Sequence, residues 1–189
     1  MSREKFISIG ILFLGDTGVG KTSLINQANA GKFSEEYQST LYRGMFSSSG
    51  CKIDVELGKF SEAFLLLGDT SKFDSHTLNL YKDGAYALVY DITRKPTLEN
   101  LKRIWLKKLN KDVKSEISFI LLGNKCDLEE LRVYSKEEGI KLANKIGACG
   151  AFEVSAKTGE GIKDALKVIA LDAYQLHGKK LVRIAEEKD

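Results

Sequence analysis

Gly15-Asp16-Thr17-Gly18-Val19-Gly20-Lys21-Thr22 is the stretch that decides the fold. It fits the spacing G-x-x-x-x-G-K-[ST], directly after the apolar run Phe6 to Leu14 and at the start of a segment that reads as a helix from Lys21. Glycines at these positions let a backbone wrap around phosphates with its N–H groups pointing inward. The helix that starts here adds its positive N-terminal end. Lys21 would then reach the β- and γ-phosphates and the Thr22 hydroxyl would ligate Mg²⁺. Asp16, Thr17, Gly18, Val19, Gly20 and Ser23 complete the expected phosphate-binding set. The plain alternative is a Gly-rich turn with a solvated lysine. A strand before the motif and a helix after it favour the phosphate loop.

Outward from this loop, Glu62 to Leu67, Tyr86 to Tyr90, Ile117 to Leu122 and Phe152 to Val154 are short apolar runs that hardly alternate. Such strands are covered on both faces, as in a parallel sheet. Between them, Thr97 to Asn110, Ser135 to Ile146 and Ile162 to Leu176 carry apolar residues at helical spacing, with Leu98, Leu101, Trp105 and Leu109 as one stripe. The alternation predicts an α/β doubly wound fold with its ligand at the carboxyl ends of the strands. Arg43 to Phe60 is harder to read; Ser47-Ser48-Ser49-Gly50 and Gly58 are candidate turns or bulges.

Composition narrows the function classes. The chain has 189 residues, room for one domain, with no repeat and no linker. At 43% hydrophobic and 29% charged it is not a mostly disordered chain, and 17 Gly with one Pro excludes collagen-like sequence. A net charge of +3 argues against non-specific nucleic-acid binding. No apolar run approaches the roughly 20 residues of a membrane span, and Met1-Ser2-Arg3-Glu4-Lys5-Phe6 lacks the apolar core of a secretion signal. Cys51, Cys126 and Cys149 have no Cys-x-x-Cys or nearby His, which suits a reducing, cytoplasmic setting. No cysteine stands near Asp189, so membrane contact is expected only through a lipidated tail or a partner.

Two further loops point to the ligand's base. Gly123-Asn124-Lys125-Cys126-Asp127 follows one strand and Ser155-Ala156-Lys157 another. A carboxylate accepts through two oxygens, so Asp127 can take both donors on a guanine edge, whereas adenine would leave it poorly paired. Asn124 and Lys125 would brace the loop and cover the ring. An ATP-using enzyme is disfavoured by the same residues.

In this order, the motifs resemble those of the Ras superfamily of small GTPases, most closely its Rab-like branch, over about residues 6 to 176. The resemblance implies a P-loop NTPase fold with a mainly parallel six-stranded sheet flanked by helices. It implies residues 1–5 as an extension, 6–177 as the G domain and 178–189 as a charged tail. It implies GTP or GDP with Mg²⁺, hydrolysis of GTP to GDP by an in-line water, and a monomer. Phe33 would pack against guanine and Tyr37 would close over the phosphates. Thr40 would join Lys21 in catalysis, ligating Mg²⁺ and sensing the γ-phosphate. Asp69 would hold Mg²⁺ through water; Ser155, Ala156 and Lys157 would complete the base site. Effectors, exchange factors and GTPase-activating proteins would engage switch regions 34–46 and 69–80, in membrane traffic or signalling on the cytosolic face of membranes.

The second switch departs from the family. Asp69-Thr70-Ser71-Lys72-Phe73-Asp74 stands where the family reads Asp-Thr-Ala-Gly-Gln-Glu. Lys72 still offers the N–H expected to meet the γ-phosphate but loses glycine's freedom. Phe73 replaces the glutamine that orients the attacking water, and a phenyl ring cannot hydrogen-bond. Gly68 stands where a tryptophan is common, Ser75-His76 where Arg-Phe is, and Leu41-Tyr42-Arg43-Gly44-Met45-Phe46 differs from the Rab-like first switch. Slow intrinsic hydrolysis is expected. The alternatives are compensation by Lys72, a group supplied by a partner, or a scaffold that binds nucleotide without hydrolysis. Lys102 to Lys111 reads as the solvated basic face of a core helix, with contact to an acidic partner or membrane surface as the alternative; His76 reads as a loop residue rather than a pH-sensitive or catalytic one, and His177 as helix-terminal.

Overall fold

Strand β1 (Lys5–Leu14) alternates its side chains between two apolar layers: Ile7, Ile9, Ile11 and Phe13 point into one, Leu12 and Leu14 into the other. In the computed structural model, which describes residues 5–30, 47–69, 77, 81–113 and 116–184, this double burial makes β1 a central strand. The main sheet path runs β2-β3-β1-β4-β5-β6, with β2 (Ser47–Leu57), β3 (Phe60–Asp69), β4 (Ala85–Asp91), β5 (Ser118–Asn124) and β6 (Ala151–Val154). All neighbours on that path are parallel except the β2–β3 hairpin. The expected six-stranded, doubly wound sheet is therefore present.

Helices cover both faces. Helix α1 (Lys21–Ala30) contributes Leu24 and Ile25 to the first layer, and α5 (Ile162–Leu181) contributes Ile162, Ala165, Leu166, Ile169, Ala170 and Ala173. On the second face lie α2 (Lys95–Asn100), a π-helical turn Leu101–Trp105, α3 (Leu106–Asp112) and α4 (Lys136–Ile146), through Leu98, Leu101, Leu109, Leu142 and Ala143. Helix α4 starts with a reciprocal capping box, in which Glu138 N–H donates to Ser135 Oγ at 3.2 Å and Ser135 N–H donates to Glu138 Oε2 at 2.8 Å.

Three expectations need correction. The segment Thr97 to Asn110 reads as a regular helix but contains the π turn; Leu98, Leu101 and Leu109 are buried as the stripe requires, while Trp105 is only half-buried. Gly50 is not in a turn: it lies within β2, and a Cβ there would strike the Phe64 ring across the hairpin. Gly58, at φ 64°, makes the turn. Helix α5 continues to Leu181, and β7 (Val182–Ile184) adds a seventh strand, antiparallel to Lys5–Ile7 of β1. Because β3 already pairs with β1 at Ile7, β7 takes the other edge, before β4 joins at Ile11. His177 is thus buried within α5 rather than terminal. Among the described residues no helix is long and apolar enough to cross a membrane.

Candidate functional site

Parallel register brings five strand ends to one edge of the sheet. Phe13 pairs with Asp69, Leu14 with Leu88, Asp91 with Asn124, and Asn124 with Val154. The loops leaving these strands therefore meet, and β1 sits where the winding reverses direction, between β3 and β4. That is the place where a doubly wound sheet opens a crevice.

The first loop joins β1 to α1. Its backbone turns through positive φ at Gly18 (77°) and Gly20 (96°), and Leu24 N–H donates to the Gly20 carbonyl at 2.9 Å to begin the helix. Lys21 is buried, and its ammonium donates to the carbonyls of Gly15 (2.8 Å) and Asp16 (2.9 Å). Burial pushes its pKa down to about 8, against the pull of Asp69 and Asp16. A desolvated cation at the start of a helix is built to meet an anion.

At the end of β3, Asp69 is buried and accepts a hydrogen bond from the Thr22 hydroxyl on Oδ2. Its Oδ1 is buried with no hydrogen-bond partner among the described residues. Burial raises its pKa; the Thr22 bond and Lys21 oppose this. An orphaned carboxylate oxygen beside a hydroxyl is an all-oxygen donor set, the kind that suits a hard divalent cation such as Mg²⁺. The residues present fit that ion.

The third group ties the base-side loops to the phosphate loop. Asn124, buried at the end of β5, donates from Nδ2 to the Val19 carbonyl at 2.8 Å and accepts from Ala156 N–H at 3.1 Å. Ser155 Oγ donates to Asp127 Oδ1 at 2.6 Å and accepts from the N–H groups of Lys157 and Thr158 at 3.2 and 3.1 Å. Asp127 is exposed, so its carboxylate can reach a ligand edge. Lys125 takes φ 72°, the one positive φ outside glycine among the described residues. Its ammonium pairs with Asp91 Oδ2 at 2.6 Å.

Two participants escape the sequence reading. Asp91, fully buried at the end of β4, holds Lys125, Arg94 Nε (3.0 Å), Thr93 N–H (3.0 Å) and the Thr93 hydroxyl (2.7 Å). Burial opposes its ionisation, yet the bonds from Lys125 and Thr93 outweigh it and hold the carboxyl below the usual range. Arg94 also donates to the Thr17 carbonyl at 3.1 Å. An aspartate closing the apolar run Tyr86 to Tyr90 is the available signal. The second is the pair Asn100 and Trp105, which donate to the two carboxylate oxygens of Asp16 at 2.7 and 2.8 Å. No local pattern announces that contact.

Asp16, Thr17, Gly18, Val19, Gly20, Lys21, Thr22, Ser23, Asp69, Asn124, Lys125, Asp127, Ser155, Ala156 and Lys157 thus lie on elements that meet at one edge. Phe33, Tyr37, Thr40, Lys72, Phe73, Ser75 and His76 lie outside the described residues. Lys102, Arg103, Lys107, Lys108 and Lys111 are exposed, the solvated face expected. The cysteines are half-buried and unbridged, and burial pushes the Cys126 thiol up to about 11 and Cys149 up to about 12.

Known proteins resemble this chain along most of its length. A family model described as the Ras family matches residues 10–175. Ras-related protein Rab-13 of Canis lupus familiaris is 34% identical over 163 residues, spanning 86% of this chain and 78% of its own. Ras-related protein RABA1b of Arabidopsis thaliana is 32% identical over 182 residues, spanning 94% and 80%. Ras-related protein Rab-27A of Homo sapiens is 34% identical over 172 residues, spanning 85% and 76%.

Proposed function

The chain belongs to the Ras family as a Rab-like small GTPase, and from that premise we propose that it is a guanine-nucleotide switch whose own hydrolysis of GTP is slow. The observation that carries the reading is the meeting, at one sheet edge, of a buried cation (Lys21), a hydroxyl–carboxylate pair (Thr22, Asp69) and a braced carboxylate (Asp127). In this reading Lys21 and the inward amides of residues 16–23 hold the phosphates and offset charge that develops in the transition state. Thr22 and Thr40 would ligate Mg²⁺ and Asp69 would hold it through water; the ion would supply positive charge against the phosphate oxygens. Asp127 selects guanine by accepting from its ring edge, with Ser155 fixing the carboxylate, and Asn124 locking the base loops to the phosphate loop. Phe33, Tyr37 and Lys72 complete the contacts.

Slow turnover rests on Phe73, which offers no hydrogen bond to an attacking water. The same residue favours a second reading, a scaffold that binds GTP and GDP without hydrolysing them. Membrane traffic or signalling on the cytosolic face of membranes, and effector, exchange and activating partners at residues 34–46 and 69–80, follow from the Rab-like relatives. The test loads the chain with labelled GTP, GDP or ATP and follows a single turnover. Guanine-selective loading with slow release of phosphate, accelerated by Phe73→Gln, is the expected result. Brisk hydrolysis that Phe73→Gln leaves unchanged refutes the slow-switch reading; no hydrolysis in either variant moves the protein to the scaffold reading.

A further inference from the structure

Asn100 and Trp105 are five residues apart. On a regular α-helix that spacing places two side chains about 140° apart, on different faces. Here the helix changes pitch between them: Leu106 N–H donates to the Leu101 carbonyl, five residues back, and the π turn Leu101–Trp105 turns both side chains toward the same carboxylate. The Asn100 amide takes Asp16 Oδ2 at 2.7 Å and the Trp105 indole N–H takes Oδ1 at 2.8 Å. Trp105 also packs at the edge of the second apolar layer. A helix gives up its regular ladder here, and the visible return is this pair of donors.

The acceptor is not incidental. Asp16 follows the first glycine of the phosphate loop, and its own carbonyl accepts from the Lys21 ammonium at 2.9 Å. A free carboxylate at this position would repel an incoming phosphate and compete for Lys21. Two donors that carry no charge hold both of its oxygens toward the α2–α3 segment instead.

We propose that Asn100 and Trp105 are positioning residues for the phosphate loop, latching Asp16 across the π turn so that the α2–α3 segment sets how fast bound nucleotide leaves. This rests on the nucleotide-binding reading above. The latch acts through Asp16, so its effect depends on the carboxylate being there. Loss of one hydrogen bond to a charged group corresponds to about tenfold in an equilibrium or release rate.

The experiment follows release of methylanthraniloyl-GDP from the intact chain after addition of excess GDP. Trp105→Phe keeps the ring's bulk and removes its donor; Asn100→Leu removes the other. Each is expected to speed release about tenfold. In an Asp16→Ala background, Trp105→Phe is expected to add nothing further, whereas a packing role would speed release in both backgrounds alike. Trp105 is the single tryptophan, so its emission is expected to change when EDTA strips nucleotide from the wild type. Release within twofold of wild type in both single variants, or an equal Trp105→Phe effect with and without Asp16, overturns the latch while nucleotide binding stands. A wild-type chain that retains no labelled GDP overturns the nucleotide reading and the latch with it.

Discussion

Replacing Asp91 by asparagine keeps the shape of a fully buried side chain and removes its charge. The amide oxygen can still accept from Thr93, whose N–H and hydroxyl lie at 3.0 and 2.7 Å. The amide NH₂ then faces two cations, Lys125 at 2.6 Å and Arg94 at 3.0 Å, and both charge-assisted bonds are lost. Each such bond contributes about 1.5–3 kcal/mol. The partner side chains are 33% and 43% exposed and can turn to water, so the low end applies and the loss is about 3 kcal/mol. For a chain of this size, about 2–4 °C per kcal/mol gives a fall in Tm of about 6–12 °C. The pH dependence has a definite sign. A carboxyl held below its unfolded value stabilises the protein above that value and ceases to do so as pH falls through the native one. The gap between wild type and Asp91→Asn, measured by denaturant titration, should be level from pH 7 to about 5 and narrow below the ordinary aspartate value of 3.8. A Tm change under about 2 °C at pH 7 would refute the assigned role, as would a gap that stays constant into acid.

Burial pushes the Lys21 ammonium down to about 8, while an unfolded lysine keeps its proton to 10.5. Folding stability from this group therefore rises between those values, whereas nucleotide affinity, which needs the ammonium, falls by about tenfold per pH unit above 8. Calorimetry in buffers of different ionisation enthalpy should show proton uptake on GDP binding at pH 8.5; affinity that is flat to pH 9.5 contradicts this. Gly20→Ala places a Cβ against Asn124 Nδ2 at φ 96° and breaks the bond to Val19, at a cost of about 2–3 kcal/mol. Gly147→Ala, at φ 77° with open space around it, should lose only about 1 kcal/mol and leave GDP binding alone, so thermal melts that rank the two alike count against the packing argument. Asp127→Asn should cut the preference for GDP over ADP about tenfold or more in competition binding, and an unchanged preference removes Asp127 from base selection.

Legibility tracked the range of the physics. The phosphate loop is a contiguous motif whose chemistry needs only its own residues and a strand-to-helix context, so Gly15 to Thr22 was readable at once. The base loops were readable because each follows an apolar strand directly. Asp91 carried the same strand-end signature, but its four side-chain bonds come from Lys125, on another loop, and from its own turn at Thr93 and Arg94. The π turn could not be read, since the stripe Leu98, Leu101, Trp105 and Leu109 satisfies a regular helix and the pull on Trp105 comes from Asp16, 89 positions away in the chain. The edge strand β7 was hidden because Val182–Ile184 is three residues long and pairs with the opposite end of the chain.

The sequence alone determined the layer order and the phosphate loop, because periodicity and local spacing are properties of neighbouring residues. Tertiary structure decided which charges meet: that Lys21 is buried enough to lose its ordinary pKa, that one oxygen of Asp69 has no protein partner among the described residues, and that Asp91 and Asp16 are clamped. Desolvation and charge pairing depend on what lies across the sheet edge, and only the folded register of β1, β3, β4, β5 and β6 sets that distance.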